Sequence, residues 1–337
     1  MKNSLTQSLI CLSLLTVTCL VQPACAFADD ADAIKEAYLD AESAGKPFAI
    51  QGEYSGEVKT QDGPMKLGVQ VMAQGRNELA FAAWFGGLPG DGWNGEGVLR
   101  GKGEMTGETA TLTGEHGRGE IKDGNLTIYD ADNNLMGELQ KIERKSPTLG
   151  AKPPEGAVVL FDGTTADQFE NGRLSEDNLL MEGVTSKDKF QDFQLHLEFR
   201  LAFMPNARGQ ARSNSGCYLQ GRYEVQILDS FGLTGEDNEC GGIYKASKPD
   251  LNMCLPPLAW QTYDIEFHAA KFDAEGKKIS NARATVKHNG VAIHTDREIP
   301  GGTPGGPVRG EGAEEGPIFL QNHGDPLRFR NIWVKPL

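Results

Sequence analysis

Hydrophobic and polar residues alternate with a period of two over much of this chain, the mark of strands buried on one face. Lys66 to Ala73 sets Leu67, Val69 and Val71 on one side, and Leu79 to Phe85 is an apolar run. Short segments punctuated by Gly95, Gly97, Gly101, Gly103 and Gly114 follow. Leu126 to Tyr129 and Leu135 to Ile142 close the region, joined by the turn Asp132-Asn133-Asn134. Residues 48–144 therefore predict a small antiparallel β domain. A single helical period precedes it. Ile34, Ala37, Tyr38 and Ala41 are spaced for one helix face over Asp30–Ala44, and Gly45-Lys46-Pro47 ends it.

Ser146 to Gly156 reads SPTLGAKPPEG, with three prolines and two glycines, which continue neither a strand nor a helix. Strands resume beyond it at Val158–Phe161, Phe193–Arg200, Gly216–Gln220, Tyr223–Leu228, Thr262–His268, Ala284–His288, Val291–His294, Ile318–Asn322 and Leu327–Val334. Asn289-Gly290 between two of these predicts a two-residue type I′ hairpin. No helical period interleaves them, so the expected fold class is all-β, a sandwich or jelly roll preceded by the small antiparallel domain and its helix. Pro300 to Pro317 has no strand character and reads as a long flexible loop of the kind that serves as a lid.

The leading residues belong to neither unit. Lys2, the apolar run Leu9 to Val21 and the small residues Ala24-Cys25-Ala26 predict a secretory signal peptide cleaved before Phe27, and export to the periplasm or the cell exterior. The organisation expected is thus a signal peptide over 1–26, a helix plus β domain over 27–145, a linker over 146–156 and a sandwich over 157–337. The apolar run is short for a membrane span and no second one follows. The 337 residues carry a formal charge of −14, with no run of Lys or Arg, which argues against a nucleic-acid partner. Of the cysteines beyond the leader, Cys217 sits in an apolar alternation. Cys240 and Cys254 flank a turn-rich stretch and are left as either a disulfide or two buried thiols. No cysteine or histidine pair has zinc-ligand spacing.

Candidate chemistry concentrates in Asn214 to Ser230. Alternation puts Tyr223, Val225 and Ile227 on one face and Arg222, Glu224 and Gln226 on the other. Asp229 falls out of phase by one residue unless a bulge brings it round. His196, Glu198 and Arg200 share a face, as do Asp264, Glu266 and His268. Gln321 and His323 share another, with Arg328 and Arg330 on the following strand. Such faces on one sheet would make a sugar groove, because sugars need many directional hydrogen bonds. They would equally make the ordinary solvated face of an antiparallel sheet. His268 and His294 read as surface residues, Trp260 and Trp333 as core, and His323 as a turn residue of Asn322-His323-Gly324-Asp325-Pro326.

Residues 157–337 resemble the 3-keto-disaccharide hydrolase family. The resemblance is carried by Val159-Leu160-Phe161-Asp162-Gly163, Asp192-Phe193 with Leu197-Glu198-Phe199-Arg200, and Asn214-Ser215-Gly216 through Asp229-Ser230. Cys240 to Tyr244, Trp260 to Asp264, Asn289-Gly290, Leu320 to His323 and Phe329 to Ile332 add to it. It implies a concanavalin-like jelly roll acting on glycosides oxidised to a ketone at C3. A C3 ketone acidifies the C2 proton; a base removes it, the enolate expels the group at C1, and water adds back. That route needs a base, a proton donor and a holder of enolate charge. Glu224 and His323 are the expected base and acid, in either assignment. Arg200, Gln226, Gln321 and Arg330 are expected to bind sugar, with Asp229 orienting. A divalent metal is left open, with Glu224, Asp229 and His323 as its ligands. The alternatives are an ordinary glycosidase with Glu224 and Asp229 as its carboxylate pair, or a carbohydrate-binding protein without turnover.

Overall fold

The structure, a computed structural model, describes residues 36–337, so the signal peptide and the start of the expected helix lie outside the described residues. The helix differs from its expected bounds. Tyr38 is extended and bridges to Phe203, and α1 runs over Ala41–Ile50. Asp40 caps it by accepting from the Ser43 N–H at 2.8 Å. Gly45 breaks the helix at φ 66°, where Pro47 lacks the N–H an uninterrupted helix needs.

Eight strands follow: β1 (Gly52–Thr60), β2 (Gly63–Ala73), β3 (Glu78–Phe85), β4 (Val98–Thr106), β5 (Thr109–Gly114), β6 (Gly117–Lys122), β7 (Asn125–Asp130) and β8 (Leu135–Ile142). Each pairs antiparallel with the next, and β8 returns to β1 with Val58 opposite Gly137, so the small β domain is a closed barrel. Leu67, Val69, Val71, Leu79, Phe81 and Leu112 line its interior side. Closure removes the unpaired edges that an open sheet of this length would expose.

Fourteen strands complete the chain: β9 (Val158–Phe161), β10 (Phe169–Glu170), β11 (Leu180–Met181), β12 (Val184–Phe190), β13 (Phe193–Arg200), β14 (Ser215–Leu219), β15 (Tyr223–Ile227), β16 (Trp260–His268), β17 (Lys271–Phe272), β18 (Lys278–Ser280), β19 (Ala282–His288), β20 (Val291–Ile299), β21 (Gly316–Leu320) and β22 (Arg328–Pro336). All but β17 and β18, which pair with each other as a separate hairpin, form a sandwich. One sheet runs β10-β12-β21-β14-β15; the other runs β11-β22-β13-β16-β19-β20, with β9 also paired to β22. The core between them holds Leu195, Leu197 and Phe199 from one side and Cys217, Leu219, Val225 and Ile227 from the other. Asn289 (φ 51°) and Gly290 (φ 80°) turn β19 into β20, the two positive dihedrals that a type I′ hairpin requires. Within the sandwich, the long strand absent from the sequence reading is β12, whose VTSKDKF is too polar to stand out.

The proline-rich stretch between barrel and sandwich is not loose. It lies on the outer face of the larger sheet, where Thr148 bonds to Asp264 at 2.7 Å and the Gly150 N–H donates to Glu198 at 2.5 Å. Nor does the expected flexible loop hang free. The Arg222 carbonyl accepts from the Thr303 N–H at 2.8 Å, its guanidinium donates to the carbonyls of Gly310 and Glu314, and Tyr223 bonds to Glu311 at 2.7 Å.

Candidate functional site

The hairpin β14–β15 builds the site. Its register sets Tyr218 opposite Glu224 and Gly216 opposite Gln226. Cys217, Leu219, Val225 and Ile227 point into the core, so Tyr218, Glu224 and Gln226 point outward together. Gln321, just past β21, joins them through its N–H to the Gly216 carbonyl at 2.9 Å. Outward does not mean solvated here. Loops cover this face, and Glu224 is 3% exposed. What remains is a cavity of about 230 Å³ lined by these four residues with Gln210, Asn214, Tyr244, Lys245, Pro304, Gly305 and His323. Glu224 and His323 therefore share one depression, His323 from an exposed turn and Glu224 from the floor.

Glu224 has one side-chain partner. Tyr218 Oη donates to its Oε2 at 2.7 Å and also lies 2.8 Å from the Pro304 carbonyl. Burial pushes the carboxyl up to about 7, and the Tyr218 hydroxyl offsets part of that rise. A single phenolic hydrogen serves one acceptor at a time. Protonated Glu224 can donate to Tyr218, which then donates to Pro304; ionised Glu224 takes the phenolic hydrogen for itself. The rest of the wall is rich in amides. Gln226 Nε2 donates to Gln210 Oε1 at 3.1 Å, and Gln321 Nε2 approaches Tyr218 Oη at 3.3 Å. Asn214 Oδ1 is buried without a partner among the described residues, an acceptor at the cavity. Lys245 brings the cavity's cation.

Several expected residues lie elsewhere. Arg200 and Arg330 project from β13 and β22 on the outer face of the other sheet, and line a separate cleft of about 630 Å³ against the barrel. There Arg330 pairs with Glu198 at 2.6 Å and stacks 4.0 Å over Trp260, so Trp260 is not core. Burial opposes a charge on His196, but its contacts to Asp264 (2.6 Å) and Glu198 outweigh this and hold it above the usual imidazole range. Trp333 stacks on His196 instead of entering the core. The polar faces thus belong to two sheets and form no single groove. His294 is buried, donating to the Gly241 carbonyl at 2.8 Å, whereas His268 is surface-exposed as expected.

Asp229 does not reach the cavity either. No bulge brings it round; its carboxylate forms a buried ion pair with Arg212 at 2.6 Å. That separates it from Glu224 and His323, so the three-residue metal set does not converge. Among the described residues, no three His, Cys, Asp or Glu side chains are grouped to hold a metal ion. Cys240 and Cys254 are buried free thiols, not a disulfide, and Cys240 lies 3.2 Å from the Tyr263 hydroxyl.

The sequence reading missed Tyr218, Lys245, Gln210 and Asn214 as site residues. Tyr218 was legible in principle. Counting back from the turn at Gly221 sets it across from Glu224, the same outward side. Lys245 has a positive φ of 58° in an irregular loop, and no periodicity could have aimed it.

Two crystal structures of candidate glycosyl hydrolases from Parabacteroides distasonis are similar to this chain. One is 35% identical, with a TM-score of 0.48, over 55% of this chain and 85% of its own. The other is 17% identical, with a TM-score of 0.40, over 54% of this chain and 94% of its own. No curated protein matches the chain. Residues 156–335, more than half the chain and the sandwich from β9 to the residue of β22 before Pro336, match the model of one family. The chain is therefore a member of the family of 3-keto-alpha-glucoside-1,2-lyase-like domains.

Proposed function

We propose that this chain cleaves 3-keto-glycosides, 3-keto-disaccharides among them, by removing the C2 proton, expelling the group at C1 and adding water. Family membership supports a glycosidase-like function. The finer reading rests on one observation: among the described residues a single carboxyl group, Glu224, lines the cavity, and burial pushes it up to about 7. A carboxyl titrating there is partly ionised at neutral pH and matched to proton transfer from carbon. Glu224 takes the C2 proton. The electron pair moves onto the C3 oxygen, beside the cation of Lys245, then returns to form the C1–C2 double bond as the C1–O bond breaks. His323 protonates the leaving oxygen. Water then adds across the double bond, its oxygen to C1 and a proton to C2. Gln226, Gln321, Gln210 and Asn214 supply amides for the sugar hydroxyls.

The ordinary glycosidase reading needs two carboxyl groups flanking the bond, and the partner expected for Glu224 is held by Arg212. We further propose export, supported by the apolar run Leu9 to Val21 and Ala24-Cys25-Ala26.

The test is incubation with a 3-keto disaccharide and, separately, its unoxidised parent, following free monosaccharide. Product from the keto sugar alone is expected. Product from the parent would replace this reading with the two-carboxylate one, and saturable binding without product would make the chain a carbohydrate-binding protein.

A further inference from the structure

We propose that the barrel of residues 52–142 is a second binding site, for one uncharged and largely aromatic small molecule about the size of two fused rings. The barrel lies outside the matched family domain, so the proposal stands apart from the sugar site.

An eight-stranded barrel is just wide enough to be filled by its own side chains or to hold one small ligand. This one is not filled. It keeps a cavity of about 340 Å³, lined by Val58, Leu67, Val69, Phe81 and Leu112, with Ala83, Gly114 and Gly119 where larger side chains would close it. A dry apolar cavity of about 150 Å³ accepts one benzene ring, so this volume suits roughly two. Phe81, Phe85 and Tyr129 offer aromatic edges and faces to such a ligand.

The cavity opens at one end. The helix α1 covers the other: Ala44 and Ile50 join the barrel core, and Lys46 pairs with Glu108 in the β4–β5 turn. The mouth lies opposite, at the β5–β6 and β7–β8 turns, which contribute Glu115, His116, Gly117 and Asp130 to the lining. The two arginines that line the cavity are already engaged, and Arg100 donates to the Gly232 carbonyl at 2.6 Å. Arg118 lies 4.0 Å from the Tyr129 ring, pairs with Glu120 and donates to Asn133 at 2.9 Å. With acids beside it and its guanidinium engaged, the Arg118 side of the rim does not match an anionic head group, and Asp130, which would face a cationic one, already accepts from the Asn134 backbone and side chain. The apolar walls carry no counter-charge, and an unpaired ion would have to desolvate there. That selects an uncharged ligand.

The test is a fluorescence titration of the full chain with 2-naphthol, and with its charged analogue 2-naphthoate. One 2-naphthol per chain is expected, with a Kd of about 1–100 µM, the range for a ligand of this size. The 2-naphthoate should bind about tenfold more weakly or worse. Ala83→Trp fills the cavity and should weaken binding by about tenfold or more. Met136→Asp should do the same from a partly exposed position at the mouth, which protects the test if the larger residue prevents folding. Glu224→Gln should leave 2-naphthol binding unchanged. The proposal is overturned by an absence of saturable binding to the full chain. Equal affinity for the two probes, or full binding by both cavity variants with unchanged circular dichroism, would also overturn it.

Discussion

Replacing Glu224 with glutamine should slow turnover sharply and at the same time stabilise the fold at alkaline pH. Burial lifts this carboxyl from the usual 4.5 to about 7. At about 1.4 kcal/mol per pH unit, holding the ionised form in the folded state costs about 3 kcal/mol. The sign follows from proton counting. Between pH 4.5 and about 7 the folded chain keeps the proton that the unfolded chain has lost, so the contribution of Glu224 to stability is complete below pH 4.5 and declines as pH rises through 7. Glu224→Gln keeps the size and the neutral polarity and removes the titration. Urea unfolding should show the variant and parent within about 1 kcal/mol of each other at pH 4.5, and the variant more stable by up to about 3 kcal/mol at pH 8.5. Activity on a 3-keto disaccharide should fall by about a hundredfold or more, the usual contribution of a positioned base. If the stability gap at pH 8.5 equals that at pH 4.5, the carboxyl is not raised and the base assignment loses its physical ground.

Other expectations follow from the same geometry. Tyr218→Phe removes the hydroxyl that favours ionised Glu224, so the acid limb of the kcat/KM profile should move to higher pH; an unmoved limb would detach Tyr218 from the base. Lys245→Met should lower kcat by about tenfold or more with KM little changed, if the cation serves the enolate and not the bound sugar. Arg330→Leu should leave kcat/KM on the keto sugar within about threefold yet lower stability by about 1–3 kcal/mol, because it strands buried Glu198 while the arginine itself is partly solvated. Glu198→Gln should flatten the acid side of the stability profile. Burial opposes ionisation of Glu198, but His196, Asn331, Gly150 and Arg330 outweigh it and hold the carboxyl at about 2. Its contribution is therefore present above the usual 4.5 and lost as pH falls through 2, which acid titration followed by circular dichroism would reveal.

The alternation of apolar and polar residues determined most of the strands, the Asn289-Gly290 hairpin and the β character of both units. Those are local properties: a side chain points to one face or the other according to its parity in the strand, whatever the strand pairs with. Parity put Glu224 and Gln226 on one face and Glu198 and Arg200 on another, and both pairings hold in the folded chain. Parity could not say which sheet each strand enters. Long-range pairing sent β13 and β22 to one sheet and β15 and β21 to the other. Arg200 and Arg330 thereby ended on the far side of the sandwich from Glu224. The same limit hid the closure of β8 on β1, which joins residues about eighty positions apart, and the buried pair that withdraws Asp229. The chemistry of the candidate base was likewise beyond the sequence. A glutamate on a polar strand face is ordinary until loops distant in the chain cover it, and only that burial shifts its proton affinity toward neutrality.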